Sequence, residues 1–298
     1  MTDTAPAPTA TLTRGRATAI GFVAVLLWAL LALLTVGSSP TPPLLLNTIC
    51  FAIGGGIGLI WVQATGAWHE LRRVPLHVYL FGSVGLFGYH ALYFSALRAA
   101  PAAEAGLIAY LWPLLIVLLS GLLPGERLRG GHFLGALLGF TGAALIITGG
   151  GVGFQAQYLP GYGLALLCAL FWSSYSVGSR LFGAVPTASV AVFCLVTAVA
   201  SLGLHLIWED TVWPAGAMGW TSALLLGLGP VGLAFYVWDI GVKQGDIQML
   251  GTSSYAAPLL STLILVLAGI AAPSWSLVLA AFFITGGAVL AARASHRA

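Results

Sequence analysis

Ten apolar runs follow one another along this chain with almost nothing between them, and each is about as long as a bilayer core is thick. They lie at approximately 17–37, 43–63, 75–97, 102–123, 131–150, 160–181, 187–208, 217–241, 246–269 and 273–292. A helix crossing a membrane needs about 20 such residues. The fold class that follows is an all-α polytopic membrane protein with ten transmembrane helices. Only 6% of the 298 residues are charged and 59% are apolar, whereas a soluble domain carries roughly a quarter charged residues. No connection is long enough to fold as a soluble module. Lys243 is the only lysine and no Gly-x-x-x-x-Gly-Lys-Ser/Thr sequence occurs, so nucleotide hydrolysis through a P-loop is excluded.

The cations orient the helices. With the N-terminus on the cytoplasmic side, one face receives Arg14, Arg16, Arg72, Arg73, Arg127, Arg129, Arg180, Lys243, Arg293 and Arg297, and the other only Arg98. That is the positive-inside pattern, and it puts both termini in the cytoplasm. The net charge of +3 is therefore read as a topogenic signal and not as a nucleic-acid patch. Cys50, Cys168 and Cys194 all fall inside apolar runs without metal-ligand spacing, which reads as packing. Neither a cofactor nor a metal is expected. The Thr-, Ala- and Pro-rich start is read as a disordered tail over 1–16. The run after Arg14 and Arg16 exceeds a secretory h-region and is read as a retained first helix.

The chain repeats itself. A shift of 145 residues places Tyr110 on Tyr255, Pro113 on Pro258, Gly82 on Gly227, Arg98 on Lys243, Gly142 on Gly287 and Leu145 on Leu290. A shift of 144 places Trp28 on Trp172. The expected units are 17–150 and 160–292, with a cytoplasmic tail over 293–298. Each unit has an odd number of spans, so the second enters the membrane inverted relative to the first. Inverted repeats with interrupted hydrophobic segments at matching places point to a secondary carrier with a midplane site and alternating access.

The residues from Tyr93 to Ile147 carry a resemblance. They read Tyr-Phe-Ser-Ala-Leu-Arg at 93–98, Pro101-Ala102-Ala103-Glu104-Ala105, Tyr110-Leu-Trp-Pro113, Gly125-Glu126-Arg127-Leu128, then Gly135 and Gly142. This resembles the drug/metabolite transporter superfamily in its ten-helix form, built of two EamA-type repeats. Tyr255 to Pro258 and Gly286-Gly287 resemble the second copy, and Trp28 and Trp172 match a first-helix tryptophan in each and are candidate substrate contacts on that resemblance. Gly88-Tyr89-His90-Ala91-Leu92-Tyr93 and Leu111-Trp112-Pro113 are similar to the YddG-type branch of bacterial amino acid exporters. One departure is plain: the shift of 145 gives Glu126 the partner Ala271, so a role for the first-half glutamate does not carry to the second half.

Candidate site residues follow from depth and helical phase. Tyr110 lies about 12 Å into the fourth helix, near the midplane. Pro113 frees a carbonyl there, and in lipid such a group must be buried or face a cavity. Tyr255 and Pro258 repeat the arrangement; the alternative is that both prolines simply kink packed helices. In the third helix Tyr89 and Tyr93 share a face, with His90 beside them. A mid-depth histidine is a functional candidate, binding a carboxylate when protonated or relaying protons, against the alternative of a neutral ring bonded to a neighbouring helix. Cys168, Trp172, Tyr175, Ser176 and Ser179 form a polar stripe on the sixth helix, and Gln248, Thr252, Tyr255 and Thr262 one on the ninth. Trp112, two residues from Tyr110, faces elsewhere on a regular helix and is included on the resemblance. Asp239 and Lys243 are read as an interfacial ion pair, Glu104 as suiting a helix N-terminus, and no carboxylate as deeply buried. The glycines at four-residue spacing, Gly131, Gly135 and Gly139 with Gly142, and Gly54 with Gly58, read as close helix packing.

The resulting expectation is a carrier that exports aromatic and other large neutral amino acids across the inner membrane, by facilitated diffusion. The alternative is a multidrug or other metabolite efflux carrier, proton-coupled in one version. Its expected partners are an amino acid substrate and membrane lipid, not nucleic acid, with a monomer as the working unit. An intramembrane enzyme finds no support. His69-Glu70 in a loop is not followed by His-Glu-x-x-His spacing, and Gly-x-Ser-x-Gly is absent.

Overall fold

A computed structural model describes residues 12–151 and 153–296, without the side chain of His296. Among the described residues ten helices are long and apolar enough to cross a membrane. They are α1 (Arg14–Gly37), α2 (Pro43–Thr65), α3 (Leu76–Ala99), α4 (Ala102–Ser120), α5 (Gly130–Thr148), α6 (Ala156–Leu181), α7 (Thr187–Trp208), α8 (Gly216–Gln244), α9 (Ile247–Leu267) and α10 (Trp275–Ser295). No strand is present among the described residues. Leu and Phe side chains such as Leu206 on α7, Leu267 on α9 and Phe282 on α10 remain exposed, as a lipid-facing surface requires.

Three expectations change at the edges. The tail read over 1–16 ends earlier, because α1 starts at Arg14 with Thr13 as N-cap, its hydroxyl accepting from Arg16 N at 3.4 Å. Residues 1–11 of that tail lie outside the described residues. At the other end α10 carries on past 292 through residues read as tail, and Arg297 lies outside the described residues. His69 and Glu70 sit on a short helix, Trp68–Arg73, and not in a loop.

The packing follows the repeat. α2 lies against α7 and α5 against α10, so each of these helices meets its own repeat mate. α3 lies against α6 and α1 against α8, which exchange under the same operation. Small residues make these approaches possible, as the glycine spacing predicts. A Cβ on Gly135 would lie 2.5 Å from the Gly287 carbonyl, so α5 and α10 touch backbone to backbone.

Four helices are irregular near mid-depth. α4 is interrupted between Ala109 and Trp112, and α9 between Ser253 and Ala256. Both interruptions begin within a residue of the repeat-related tyrosine. Leu111 N bonds Ile108 O at 3.1 Å and Ala257 N bonds Ser254 O at 3.1 Å, the tight i−3 bonds of helix ends. Pro113 and Pro258 then fall in the first turn of each restarting helix, where a missing N–H costs least. α1 is interrupted between Trp28 and Leu31, and α8 carries a π-turn over Gly229–Leu233. These two breaks face each other, since Trp28 Nε1 donates to the Pro230 carbonyl at 3.1 Å.

Candidate functional site

The breaks enclose a cavity of about 90 Å³ lined by Trp28, Leu31, Tyr89, His90, Tyr110, Trp112, Trp172, Pro230, Val231, Phe235 and Ala257. Six side chains proposed from the sequence are therefore brought together: Trp28, Tyr89, His90, Tyr110, Trp112 and Trp172. Trp28 is the hub. Its ring centroid lies 5.8 Å from Trp172, 6.0 Å from Trp112 and 5.1 Å from Trp238. Edge and tilted geometries dominate, as aromatic quadrupoles favour. Trp112 lines the cavity with Tyr110, their centroids 6.5 Å apart, because the helix restarts between them. On an unbroken helix two residues would separate them by about 200°.

The remaining proposed residues sit behind the lining. Tyr93 stacks on Tyr89 at 6.1 Å, and Tyr175 lies 5.3 Å from Trp172. The Ser176 hydroxyl accepts the Trp238 indole N–H at 3.1 Å, so it positions an aromatic wall. Thr252 Oγ1 donates to Gln248 O at 3.0 Å and is buried. The Tyr255 hydroxyl accepts from Leu114 N at 3.0 Å, which ties α9 to the restart of α4. Pro113 and Pro258 are buried.

Sequence reasoning missed Phe235, Trp238, Pro230 and Val231. The signal for two of them was present: the shift of 145 places Phe235 on His90 and Trp238 on Tyr93. His90 and Phe235 now lie 6.1 Å apart across the cavity, which puts repeat-related positions face to face.

The polar groups of the cavity divide into those already bonded and those free. Trp28 and Trp238 spend their indole N–H groups on Pro230 and Ser176. His90 Nδ1 lies 2.8 Å from the Leu86 carbonyl. A carbonyl only accepts, so Nδ1 carries the hydrogen and the neutral ring keeps its lone pair on Nε2. Among the described residues no hydrogen bond engages the Tyr89 and Tyr110 hydroxyls or the indole N–H of Trp112 and Trp172. No lining side chain is a carboxylate, an arginine or a lysine.

The two ends of the helix assembly differ. At the arginine-rich end Glu126 accepts from Arg14 at 3.1 Å and also from Arg180, while Arg14 reaches Asp246 at 3.5 Å. Arg180 further donates to Val242 O at 2.9 Å and Gly245 O at 2.8 Å. These bonds link the two repeats. Beneath the cavity, the second half of α4 packs on the first half of α9. At the opposite end Glu209 holds Arg98 at 2.8 Å, His205 at 3.0 Å and the Leu44 N–H at the start of α2. There the outer halves of α4 and α9 form no packed seam.

Buried acids are present, contrary to the sequence reading. Asp239 pairs with Lys243 at 2.9 Å with side chains only 2% and 5% exposed, and it accepts from Thr187 at 2.7 Å. This pair is interior, not interfacial, because α7 covers that end of α8. Glu104 sits in the first turn of α4, where its Oε1 accepts from Gly153 N at 3.4 Å.

Two stretches of the chain, 16–148 and 159–293, match the EamA-like transporter family. The chain belongs to that family. The match spans nearly all of both five-helix units, so this is a two-repeat EamA transporter and a multi-pass protein of the bacterial inner membrane. Among similar proteins, the aromatic amino acid exporter YddG of Ancylobacter novellus is 52% identical over 96% of this chain and 100% of its own length. The aromatic amino acid exporter YddG of Escherichia coli is 26% identical over 96% of this chain and 100% of its own. The pseudopaline exporter CntI of Pseudomonas aeruginosa is 28% identical over 61% of this chain and 62% of its own. A solved crystal structure, 53% identical and covering 94% of this chain and 98% of the other, superposes with a TM-score of 0.89.

Proposed function

We propose that this EamA transporter exports aromatic and other large neutral amino acids by alternating access, moving them down their own gradient. The observation that carries the reading is the cavity between the helix breaks, walled by tryptophans and tyrosines and bearing no charged side chain. A ring-bearing zwitterion suits it: aromatic walls offer flat apolar contact, and their faces attract an ammonium. The free Trp112, Trp172, Tyr89 and Tyr110 donors suit a carboxylate. His90, with its lone pair on Nε2, suits the ammonium, which reverses the carboxylate role the sequence suggested. The high identity to an exporter named for aromatic amino acids supports the same substrate class.

The cavity of about 90 Å³ is smaller than the roughly 300 to 1,000 Å³ of ordinary ligand pockets, so the walls part when a substrate enters. Trp28, Tyr89, His90, Tyr110, Trp112 and Trp172 take the substrate in this reading. Tyr93, Tyr175, Ser176, Thr252 and Tyr255 position them, and Pro113 and Pro258 mark the moving joints. The arginine-rich end faces the cytoplasm, so the present arrangement opens outward. A carboxylate-free cavity favours a uniporter over a proton-coupled drug exporter. A monomer is taken as the working unit, and no covalent chemistry is assigned.

Binding tests the assignment of the ammonium. Tryptophan and N-acetyl-tryptophan are titrated against detergent-purified protein and His90→Ala. Tryptophan binding weakened about ten-fold in His90→Ala, with N-acetyl-tryptophan bound poorly by both, is the expected result. Equal binding of the two ligands by the unmodified protein contradicts it.

A further inference from the structure

The two repeat-related tyrosines stand in different states. Tyr255 ends the first piece of α9, and its hydroxyl accepts the Leu114 N–H at 3.0 Å. Leu114 needs that acceptor because α4 restarts at Trp112, which leaves the first N–H groups of the new helix without intrahelical partners. The shift of 145 carries Tyr255 to Tyr110 and Leu114 to Leu259. Among the described residues the Tyr110 hydroxyl has no partner, and no side chain caps the Leu259 N–H, the fourth amide of its restarting helix. Tyr110, Leu114, Tyr255 and Leu259 all belong to one apolar cluster.

The adjacent helix faces tell the same story. Gly251 is seated against α4: a Cβ there would lie 3.0 Å from Val117 Cγ2, 3.1 Å from Pro113 O and 3.2 Å from Ile116 Cγ2. Its repeat mate Gly106 meets only Ile147, at 3.5 Å. The positions that would receive Gly106 are Pro258, Ser261 and Thr262 on α9, which the same shift relates to Pro113, Ile116 and Val117. One end of the assembly therefore has a formed seam, and the other has the same parts held apart.

We propose that the two tyrosines are a reciprocal latch. Tyr255 caps the Leu114 N–H while the transporter is closed at the arginine-rich end. When that end opens, Tyr255 lets go, Tyr110 takes the Leu259 N–H, and Gly106 seats against the Ser261 and Thr262 face. In each state a hydroxyl from one broken helix caps the restart of the other, and the second tyrosine is unbonded. The latch rests on the alternating-access reading above and is independent of which substrate moves.

Spin labels test it without substrate. Ala102→Cys on α4 and Leu267→Cys on α9 are labelled in a chain whose Cys50, Cys168 and Cys194 are replaced by alanine. Distances are read by pulsed electron resonance in lipid nanodiscs. The structure predicts a long distance for the present state and a shorter one for the closed outer end. One net hydrogen bond corresponds to about a five-fold change in the ratio of the two populations. Tyr255→Phe is expected to raise the short-distance share by about that factor, and Tyr110→Phe to lower it by a similar factor. The double variant should return near the unmodified ratio. Shifts in the same direction, or changes below about two-fold in both single variants, overturn the latch. A single distance in the unmodified protein, with and without tryptophan, overturns the carrier reading itself.

Discussion

Replacing Glu126 with glutamine should open the arginine-rich end. The Glu126 side chain is only 7% exposed and holds two guanidinium groups. Arg14 is 51% exposed, so its pairing is screened and contributes at most about 1 kcal/mol. Arg180 is 19% exposed, and its bond to Glu126 is of the charge-assisted kind, worth roughly 1.5 to 3 kcal/mol. Glutamine keeps the volume and one acceptor but loses the charge, so about 2 kcal/mol of the closed state is a reasonable loss. No compensating loss occurs at the other end, because the repeat mates of Glu126, Asp246 and Arg180 are Ala271, Pro101 and Val36. The equilibrium should move by about thirty-fold toward the state open at the arginine-rich end. The assay is alkylation of a single cysteine at Thr252, buried at the α4–α9 seam, by a membrane-impermeant maleimide applied to inside-out vesicles. Its rate should rise by about that factor in Glu126→Gln. A rate within about two-fold of the unmodified protein would refute the idea that this ion-pair cluster holds the gate.

Two further substitutions probe stability. Asp239→Asn leaves the Lys243 ammonium buried and unpaired, which costs about 3 to 5 kcal/mol. The unfolding temperature in detergent should drop markedly for it, whereas Asp210→Asn at an exposed position after α7 should leave it unchanged. Gly135→Val places side-chain atoms where the α10 backbone lies 2.5 Å from a Cβ. It should separate α5 from α10 and lower the yield of folded protein on size-exclusion chromatography, with Gly56→Val, where no neighbour lies within 4 Å, as the tolerated control.

Helix count and the correspondence of the two halves were legible because apolar run length and a constant shift survive any detail of packing. Aromatic positions one repeat away from a known candidate were equally legible: Phe235 and Trp238 follow from His90 and Tyr93 by the shift that Tyr110 and Tyr255 define. The sequence misled where a regular helix was assumed. Trp112 was phased away from Tyr110, yet the turn at Tyr110 and Leu111 swings both rings to one cavity. Ser176 looked like a free hydroxyl on a polar stripe, but its acceptor role belongs to Trp238, on a helix distant in sequence. Asp239 looked interfacial because its depth along α8 was judged without α7, whose Thr187 covers it. Tertiary partners of this kind leave no periodic trace.

The central claim is that the aromatic cavity carries amino acids. Flux of radiolabelled tryptophan into proteoliposomes, with empty liposomes and Trp172→Ala as controls, tests it most directly. The account predicts saturable uptake that stops at equal concentrations, competes with phenylalanine and is lost in Trp172→Ala. Tryptophan flux no greater than in empty liposomes, together with saturable uptake of a lipophilic cation, would contradict it.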